Sequence, residues 1–552
     1  MFVRSKKVAN RVYLQIVENR WQDGKVRQRV LASLGRLDRL QESGELESLL
    51  ESASRFCESL MVISAHRRGE LPQAGSQRIG PALVFERLWK ELGCPEVIRA
   101  LLRGRYYQFD LERAIFLTVL HRLFDPGSDR AAEKWKQGYR IQGAESIQLH
   151  QLYRAMGWLG EPLRLDEQEG RTPFAPRCAK DQIEEQLFAN RRDLFTSLDL
   201  VFFDTTSIYF EGRGGESIGQ RGKSKDHRPD RPQMIVGVVL DDRGVPICCE
   251  MWPGNTTDVT TLIPIADRLQ SRFSIRRICI VADRGMISQK TIEALESPRR
   301  GWDYILGVRM RSSKEARDEV FSRAGRYSEV RPPRARPKDP APLKVKNVAV
   351  EGRRYVLCLN QEQARTDALA RKAILESLRE KLNGSAKGLI GNKGYRKYLS
   401  PLKKGFEIDE DKVAREARYD GKWVLRTSLK LSAKEVALKY KQLWMVEEMF
   451  RSIKSLLDTR PIYHKCDDTI RGHVFCSFLA LMLRKELQDR LDERGWVFEW
   501  ADVIQDLDGL QEIELDKQGK RFVLRSEAQG VAGKVCQAAG VALPPTVRQV
   551  EP

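Results

Sequence analysis

The chain has 552 residues, 41% of them hydrophobic, which is too long for one ordinary domain and apolar enough for several cores. Lys and Arg number 96 against 76 Asp and Glu, so at a net charge of +20 a polyanion is the first partner to consider. There is no apolar run of about 18 residues and no basic amphipathic terminus, and MFVRSKKVANRVYLQ lacks the apolar stretch of a secretory signal, so no membrane role and a cytoplasmic location are expected.

RVYLQIVENRWQDGKVRQRVLASLGR, Arg11 to Arg36, alternates apolar and polar residues on both sides of Asp23-Gly24 and predicts a β-hairpin with a strongly basic second strand. Helical patterns follow: PALVFERLWKELG ends at Gly93, and DLERAIFLTVLHRLFDP runs from Asp110 to a stop at Pro126. Leu159 to Ala179, with Pro162, Pro173 and Pro176, reads as a linker or long loop. From Leu198 the period becomes that of strands. LDLVFFDTTSIYF, PQMIVGVVLDDRG and VPICCEMWPGN are joined by short connections, then come a helix from Asp258, the strand RRICIVADRG, a helix from Ser288 and the strand WDYILGVRM. Three strands followed by helix, strand, helix, strand is the order of an RNase H-like mixed sheet.

Residues 311–429 interrupt this order with RPPRARPKDPAP, short strands such as RRYVLCLN and KWVLRTS, and a charged helix near Ala364 to Leu382. They predict an inserted subdomain. SAKEVALKYKQLWMVEEMFRSIKSLLDTRP, Ser432 to Pro461, opens on a capping box of Ser432 and Glu435 and reads as one long helix. Tyr440, Glu447 and Lys454, seven apart, drift by only about 20° per step and form one polar stripe on it. IRGHVFCSFLALMLRKELQDRL predicts a core helix, its apolar centre being too short to span a bilayer.

The expected organisation is therefore an α/β chain: 1–78 a hairpin and connecting segment; 79–196 a helical, DNA-binding domain; 197–310 and 430–490 the two parts of an RNase H-like catalytic core; 311–429 a β-rich insertion; and 491–552 a mixed C-terminal tail.

Phosphodiester chemistry with two Mg²⁺ ions needs hard oxygen ligands converging from separate elements. Asp204 follows LVFF inside the first strand, where aspartate is disfavoured, and Asp283 follows ICIVA at the end of the fourth. In such a sheet the first strand is central and the fourth lies beside it, so the two carboxylates should be neighbours. An aspartate in DRG is also a common turn or cap, and Glu447 alone is an ordinary helix glutamate, as its neighbour Glu448 illustrates. The basic, glycine-rich loop Glu211 to Gln233 adjoins Asp204; it lacks the strand-to-helix setting of a phosphate-binding loop, so no ATP is expected. Its Lys223, Lys225, His227 and Arg228 are candidate phosphate contacts. His464, Cys466, His473 and Cys476 match no standard zinc spacing and read as packed residues. The ten scattered cysteines contain no CxxC pair, which fits reduced thiols.

FDTTSIYFEG, GKSKDHRPDRPQMIVGVVLDDRGVPICCEMWPGNTTD, IVADRGM and YKQLWMVEEMFRSIKSLLDTRPIYH together resemble the DDE transposases of the insertion-sequence 4 family, in particular the branch named for insertion sequence 1634. The resemblance covers most of the chain, to about Leu483. It implies a metal-binding triad of Asp204, Asp283 and Glu447, with Asp204 bridging two Mg²⁺ ions, for which Mn²⁺ substitutes. It implies cleavage of the element's ends by water followed by strand transfer from the freed 3′-OH, on double-stranded DNA carrying terminal inverted repeats and on target DNA, by a homodimer in the bacterial cytoplasm, associated with the nucleoid. The family signature Tyr, two residues, Arg, three residues, Glu, six residues, Lys falls on Tyr440, Leu443, Glu447 and Lys454, so the arginine is missing; Arg451 or Lys441 is positioned to supply its charge. Tyr440, Lys454 and Arg451 are thereby expected to contact DNA, and in the insertion Trp423 is a candidate for base stacking, though KWVL suits a core tryptophan better. The alternatives are an RNase H-like nuclease or resolvase without strand transfer, and a non-catalytic DNA-binding protein of transposase ancestry.

Overall fold

A computed structural model describes residues 2–9, 11–22, 25–54, 73–168, 171, 175–191, 200–273, 278–297, 300–331, 342–382, 393–402, 405–517 and 520–550. Asp23-Gly24, Pro173 and most of the proline-rich run after Arg331 lie outside the described residues. The chain divides into two compact units, one of residues 1–84, 137–140 and 497–552 and the other of 85–136 and 141–496.

In the first unit β1 (Phe2–Val8), β2 (Arg11–Gln22) and β3 (Lys25–Arg36) form an antiparallel sheet. Val17 and Leu40, the latter from the short helix Leu37–Glu42, are its buried apolar residues. A further strand, β4 (Gln73–Arg78), pairs with Gln511–Lys517, which continues into Lys520–Arg525 and Val547–Val550. The C-terminal stretch is thus part of a sheet with an N-terminal strand, sealed by Leu515 and Phe522.

In the second unit the helix α1 (Leu111–Phe124) is buried at every residue, its charged residues included, with Glu112 and Arg113 paired to each other, and Asp110 caps it by accepting from the Arg113 N–H at 3.1 Å. After α2 (Leu149–Gly160) and α3 (Ala179–Arg191) comes the sheet. Strands β5 (Leu200–Tyr209), β6 (Gln233–Leu240) and β7 (Pro246–Pro253) are antiparallel neighbours; α4 (Leu262–Phe273) leads to β8 (Cys279–Ala282), parallel to β5, and α5 (Gln289–Leu295) to β9 (Asp303–Gly307), parallel to β8. The spatial order β7-β6-β5-β8-β9 is the RNase H-like arrangement expected from the sequence.

The insertion does more than interrupt this order. Its strands β10 (Ser328–Val330), β11 (Leu343–Val350), β12 (Arg353–Leu359) and β13 (Lys422–Thr427) extend the same sheet to nine strands, β13 pairing antiparallel with β9. The edge of β9, which would expose unpaired backbone groups, is thereby covered. The charged helix α6 (Gln361–Leu382) lies within the insertion, as predicted.

The stretch Ser432 to Pro461 departs from its expected form. The capping box of Ser432 and Glu435 is present, but the single long helix is replaced by α7 (Ala433–Lys441), a turn at Gln442 and Leu443, α8 (Trp444–Arg451) and a π-helical turn Ser452–Leu456. Propensity along the run is uniform, so packing sets the break: Leu443 is buried at the turn, and the i+3 bonds from the N–H groups of Met445 and Val446 tighten it. The helix α9 (Asp467–Glu493) then packs on α1 and α2. Glycines allow the closest approach: a Cβ on Gly472 would lie 1.9 Å from the Met156 carbonyl oxygen, and one on Gly160 2.0 Å from that of Asp468. Among the described residues no helix is long and apolar enough to cross a membrane.

Candidate active site

Asp204 sits in the middle of β5, opposite Val238 of β6, in a strand whose other residues are almost all buried. Its Oδ1 accepts from the Thr205 N–H at 2.7 Å. Asp283 directly follows β8, the parallel neighbour of β5, so sheet order brings the two acids to one edge. Burial pushes the Asp204 carboxyl up to about 6; Lys225 and the Thr205 N–H oppose that shift, and the charges of Asp283 and Asp258 add to it.

Asp283 occupies the N-cap position of a short 3₁₀ turn, yet its side chain makes no cap bond there. Its Oδ1 instead accepts the Tyr440 hydroxyl at 3.0 Å. Tyr440, at the end of α7, reaches it over β9, where Gly307 leaves room: a Cβ there would lie 2.4 Å from the phenol oxygen. Burial, and then the Asp283 charge, hold the Tyr440 hydroxyl protonated well above the ordinary tyrosine range, so it remains a donor at neutral pH.

Asp258, expected from the sequence only to start a helix, belongs to this edge. Its Oδ1 accepts from Thr205 Oγ1 at 2.7 Å and its Oδ2 pairs with Lys225 Nζ at 3.1 Å. Lys225 Nζ also donates to the Thr205 carbonyl at 2.7 Å and Thr205 Oγ1 at 3.0 Å. The ammonium is thus fastened at three points beside Asp204. The one clue in the sequence is an acid closing PGNTTD just after a strand end.

The loop between β5 and β6 is fixed at its base, where Asp467 at the start of α9 accepts the N–H of Glu216 at 2.9 Å and the Ser217 hydroxyl at 2.5 Å. Further along, Lys223 and His227 are exposed, and His227 holds a left-handed backbone (φ 57°), a conformation that costs energy in a non-glycine residue. Arg228 stacks over Tyr209 at 5.2 Å and pairs with Asp230.

Glu447 lies on α8, which packs against β5 and β6; its side chain is exposed and makes no hydrogen bond or ion pair within the described residues. Arg451 is likewise exposed. Lys454, the third residue of the stripe, is held by Asp226 at 2.6 Å, an acid that Arg460 also contacts at 2.5 Å. Leu443, at the signature's arginine position, is buried, while Lys441 rests over the half-buried Trp423 ring at 5.6 Å. Glu448 faces elsewhere, into a cavity of about 240 Å³ with Arg243, Trp444 and Arg484.

The donor set at the sheet edge suits divalent cations: two neighbouring carboxylates, one raised in part by the other's charge, with an unengaged carboxylate on the adjacent helix. A second grouping is less suited. His464 Nε2 lies 3.1 Å from His473 Nδ1 and 3.5 Å from Asp129 Oδ2, but Arg122 Nη2 is 2.9 Å from the same His473 nitrogen. A guanidinium can only donate, so that nitrogen is already an engaged acceptor, and its Nε2 faces the Thr459 carbonyl at 3.2 Å. Arg122, His473, His464 and the Thr459 carbonyl are thus joined by hydrogen-bond contacts, with Asp129 beside His464. Cys466 is exposed and Cys476 buried on α9.

Residues 196–483 match the family described as Transposase DDE domain, and residues 2–65 match the IS1634 family transposase, N-terminal domain. The chain belongs to the DDE transposases. Members of this family use divalent metals. No curated protein matches the transposase at a significant level. Among solved structures it is similar to the piggyBac transposase synaptic complex with hairpin DNA, at 10% identity and a TM-score of 0.36, over 77% of this chain and 76% of that one. It is also similar to the Mos1 mariner paired end complex with Mn, at 12% identity and a TM-score of 0.14, over 38% of this chain and 66% of that one.

Proposed function

We propose that this transposase cuts the ends of its own element and joins them to target DNA, using Asp204, Asp283 and Glu447 as the ligands of two divalent ions, Mg²⁺ or Mn²⁺. The observation that carries the reading is the meeting of Asp204 and Asp283 at one edge of parallel strands β5 and β8, with the Tyr440 hydroxyl on Asp283. Bound there, the ions would activate the attacking oxygen and stabilise the leaving one.

The protein's own groups divide the remaining work. Tyr440 orients the Asp283 carboxylate, and Lys225, held by Asp258 and Thr205, favours the charged form of Asp204. Glu447, exposed and unengaged on α8, would turn toward the two aspartates to complete the set. Lys223, His227 and Arg451, exposed, and Arg228, half-buried over Tyr209, would hold phosphates of double-stranded DNA. Lys454 would reach a phosphate by giving up Asp226. The substrate would be two terminal inverted repeats paired by a homodimer on chromosomal DNA in the cytoplasm.

The test is Glu447→Gln in a Mg²⁺ assay on a plasmid carrying the element's ends. End binding should persist and nicking should fall by at least about 10³-fold, the scale of losing a group acting on the transition state. Nicking at the wild-type rate would refute the triad. Nicks without joined products from the wild-type protein would replace transposition by plain nuclease activity.

A further inference from the structure

The first unit carries a charged feature that the active site does not use. Between Phe2 and Arg36 there are nine Lys and Arg and two acids. Beyond Val17 and Glu18 the β2–β3 hairpin is exposed on both faces: Asn19 to Trp21 on one strand and Val26 to Arg29 on the other. An isolated two-stranded ribbon is marginally stable in water, so an extension bare on both sides is suited to a partner.

One face concentrates guanidinium charge. Arg20 stands directly opposite Arg27, and Arg29 directly opposite Glu18. Like charges in register are destabilising, and the acid on this face, Glu18, pairs with Arg20 at 2.7 Å and lies 3.8 Å from Arg29, leaving Arg27 without an acid among the described residues. The other face pairs Trp21, 78% exposed, with Val26, and Asn19 with Gln28. Charge, amides and one aromatic on a two-stranded ribbon match the width and chemistry of the DNA major groove, which admits such a ribbon.

We infer that the β2–β3 hairpin is a duplex-DNA-binding ribbon, in which Arg20, Arg27 and Arg29 hold phosphates and Trp21 packs on the groove near the tip. This rests on the proposed function only in taking DNA as the substrate; it moves the grip on DNA from the helical segment expected from the sequence to the N-terminal sheet.

The experiment is fluorescence anisotropy of the full-length protein on a labelled 30-base-pair duplex in divalent-free buffer, across a salt series. The triple variant Arg20→Ala, Arg27→Ala, Arg29→Ala should weaken binding at least about tenfold and reduce the slope of log affinity on log salt by about 2 to 3, close to one for each phosphate no longer held. Trp21→Ala should weaken binding with an unchanged slope. Unaltered affinity and slope in the triple variant, with an unchanged circular dichroism spectrum and melting temperature, would overturn the inference. Should the triple variant lose structure, Arg27→Gln alone, which releases no described acid, should still lower the slope by about 1. Sedimentation decides the rival occupant: a wild-type dimer that Trp21→Ala dissociates without affecting DNA binding would reassign the face to a second copy of the chain. Because no metal is present, failure of the carboxylate triad would leave these readings unchanged.

Discussion

Replacing Asp204 by Asn should stabilise the protein while abolishing its chemistry. The carboxyl is pushed up to about 6 in the folded chain from an ordinary value of 3.8, and burial is the principal cause. A shift of roughly two units is worth about 3 kcal/mol, which partial exposure of the side chain reduces to about 2 kcal/mol. Because the folded-state value is raised, the folded protein binds more protons than the unfolded chain between about pH 4 and 6, so stability falls as pH rises through that window. Asn carries no charge to desolvate and keeps the oxygen that accepts the Thr205 N–H. In divalent-free buffer at pH 8 the variant should therefore melt roughly 2–4 °C above the wild type, and near pH 4 the two should converge. Adding Mn²⁺ should raise the wild-type melting temperature and leave the variant's unchanged, since ligand binding stabilises only a protein that binds it. A variant less stable than the wild type at pH 8, or equally responsive to Mn²⁺, would refute the assignment of Asp204 as a buried carboxylate poised for a cation.

Lys225→Met removes the group that most opposes the rise at Asp204, so the acidic limb of the nicking rate against pH should move to higher pH; an unmoved limb would show that Lys225 does not act on Asp204. Tyr440→Phe deletes the hydroxyl bond to Asp283 and should cost about 1 kcal/mol of stability together with a several-fold rise in the Mn²⁺ concentration for half-maximal nicking, read from a metal titration. Glu448→Gln should nick at close to the wild-type rate, because its side chain faces the cavity with Arg484; a loss as large as that of Glu447→Gln would mean that the wrong glutamate has been assigned.

The parts legible in the sequence are those where a residue contradicts its local surroundings. An aspartate inside LVFFDTTSIYF has no reason to be there unless it has a partner, and the order of strands and helices suffices to make Asp283 its neighbour. Where local pattern is uniform or absent, tertiary pairing decides. QAGSQR carries no β pattern, yet Gln73–Arg78 is a strand because Gln511–Lys517, more than four hundred residues later, supplies its partner. The insertion is legible as β-rich, but its fusion with the main sheet depends on three residue pairs between β13 and β9 that periodicity does not reveal. Asp258 escapes a reading of the sequence because a capping acid and a site acid look alike until Thr205 and Lys225 are seen on it.

The break at Gln442 and Leu443 alters how the stripe of Tyr440, Glu447 and Lys454 works. On a straight helix the seven-residue spacing would place all three on one line, whereas here each sits on a separate segment: α7, α8 and a π-helical turn. Tyr440 and Lys454 are each tied to an acid of the second unit, Asp283 and Asp226, while Glu447 between them is tied to nothing described. The two anchors fix the ends of the stretch and leave the middle segment as the one whose carboxylate is unengaged among the described residues, the arrangement the proposed cation role of Glu447 would use. Leu443 fits this division: buried at the joint, it holds α8 against the core from a position where the family signature has an arginine, so under the proposed function the charge for DNA would come from exposed neighbours such as Arg451.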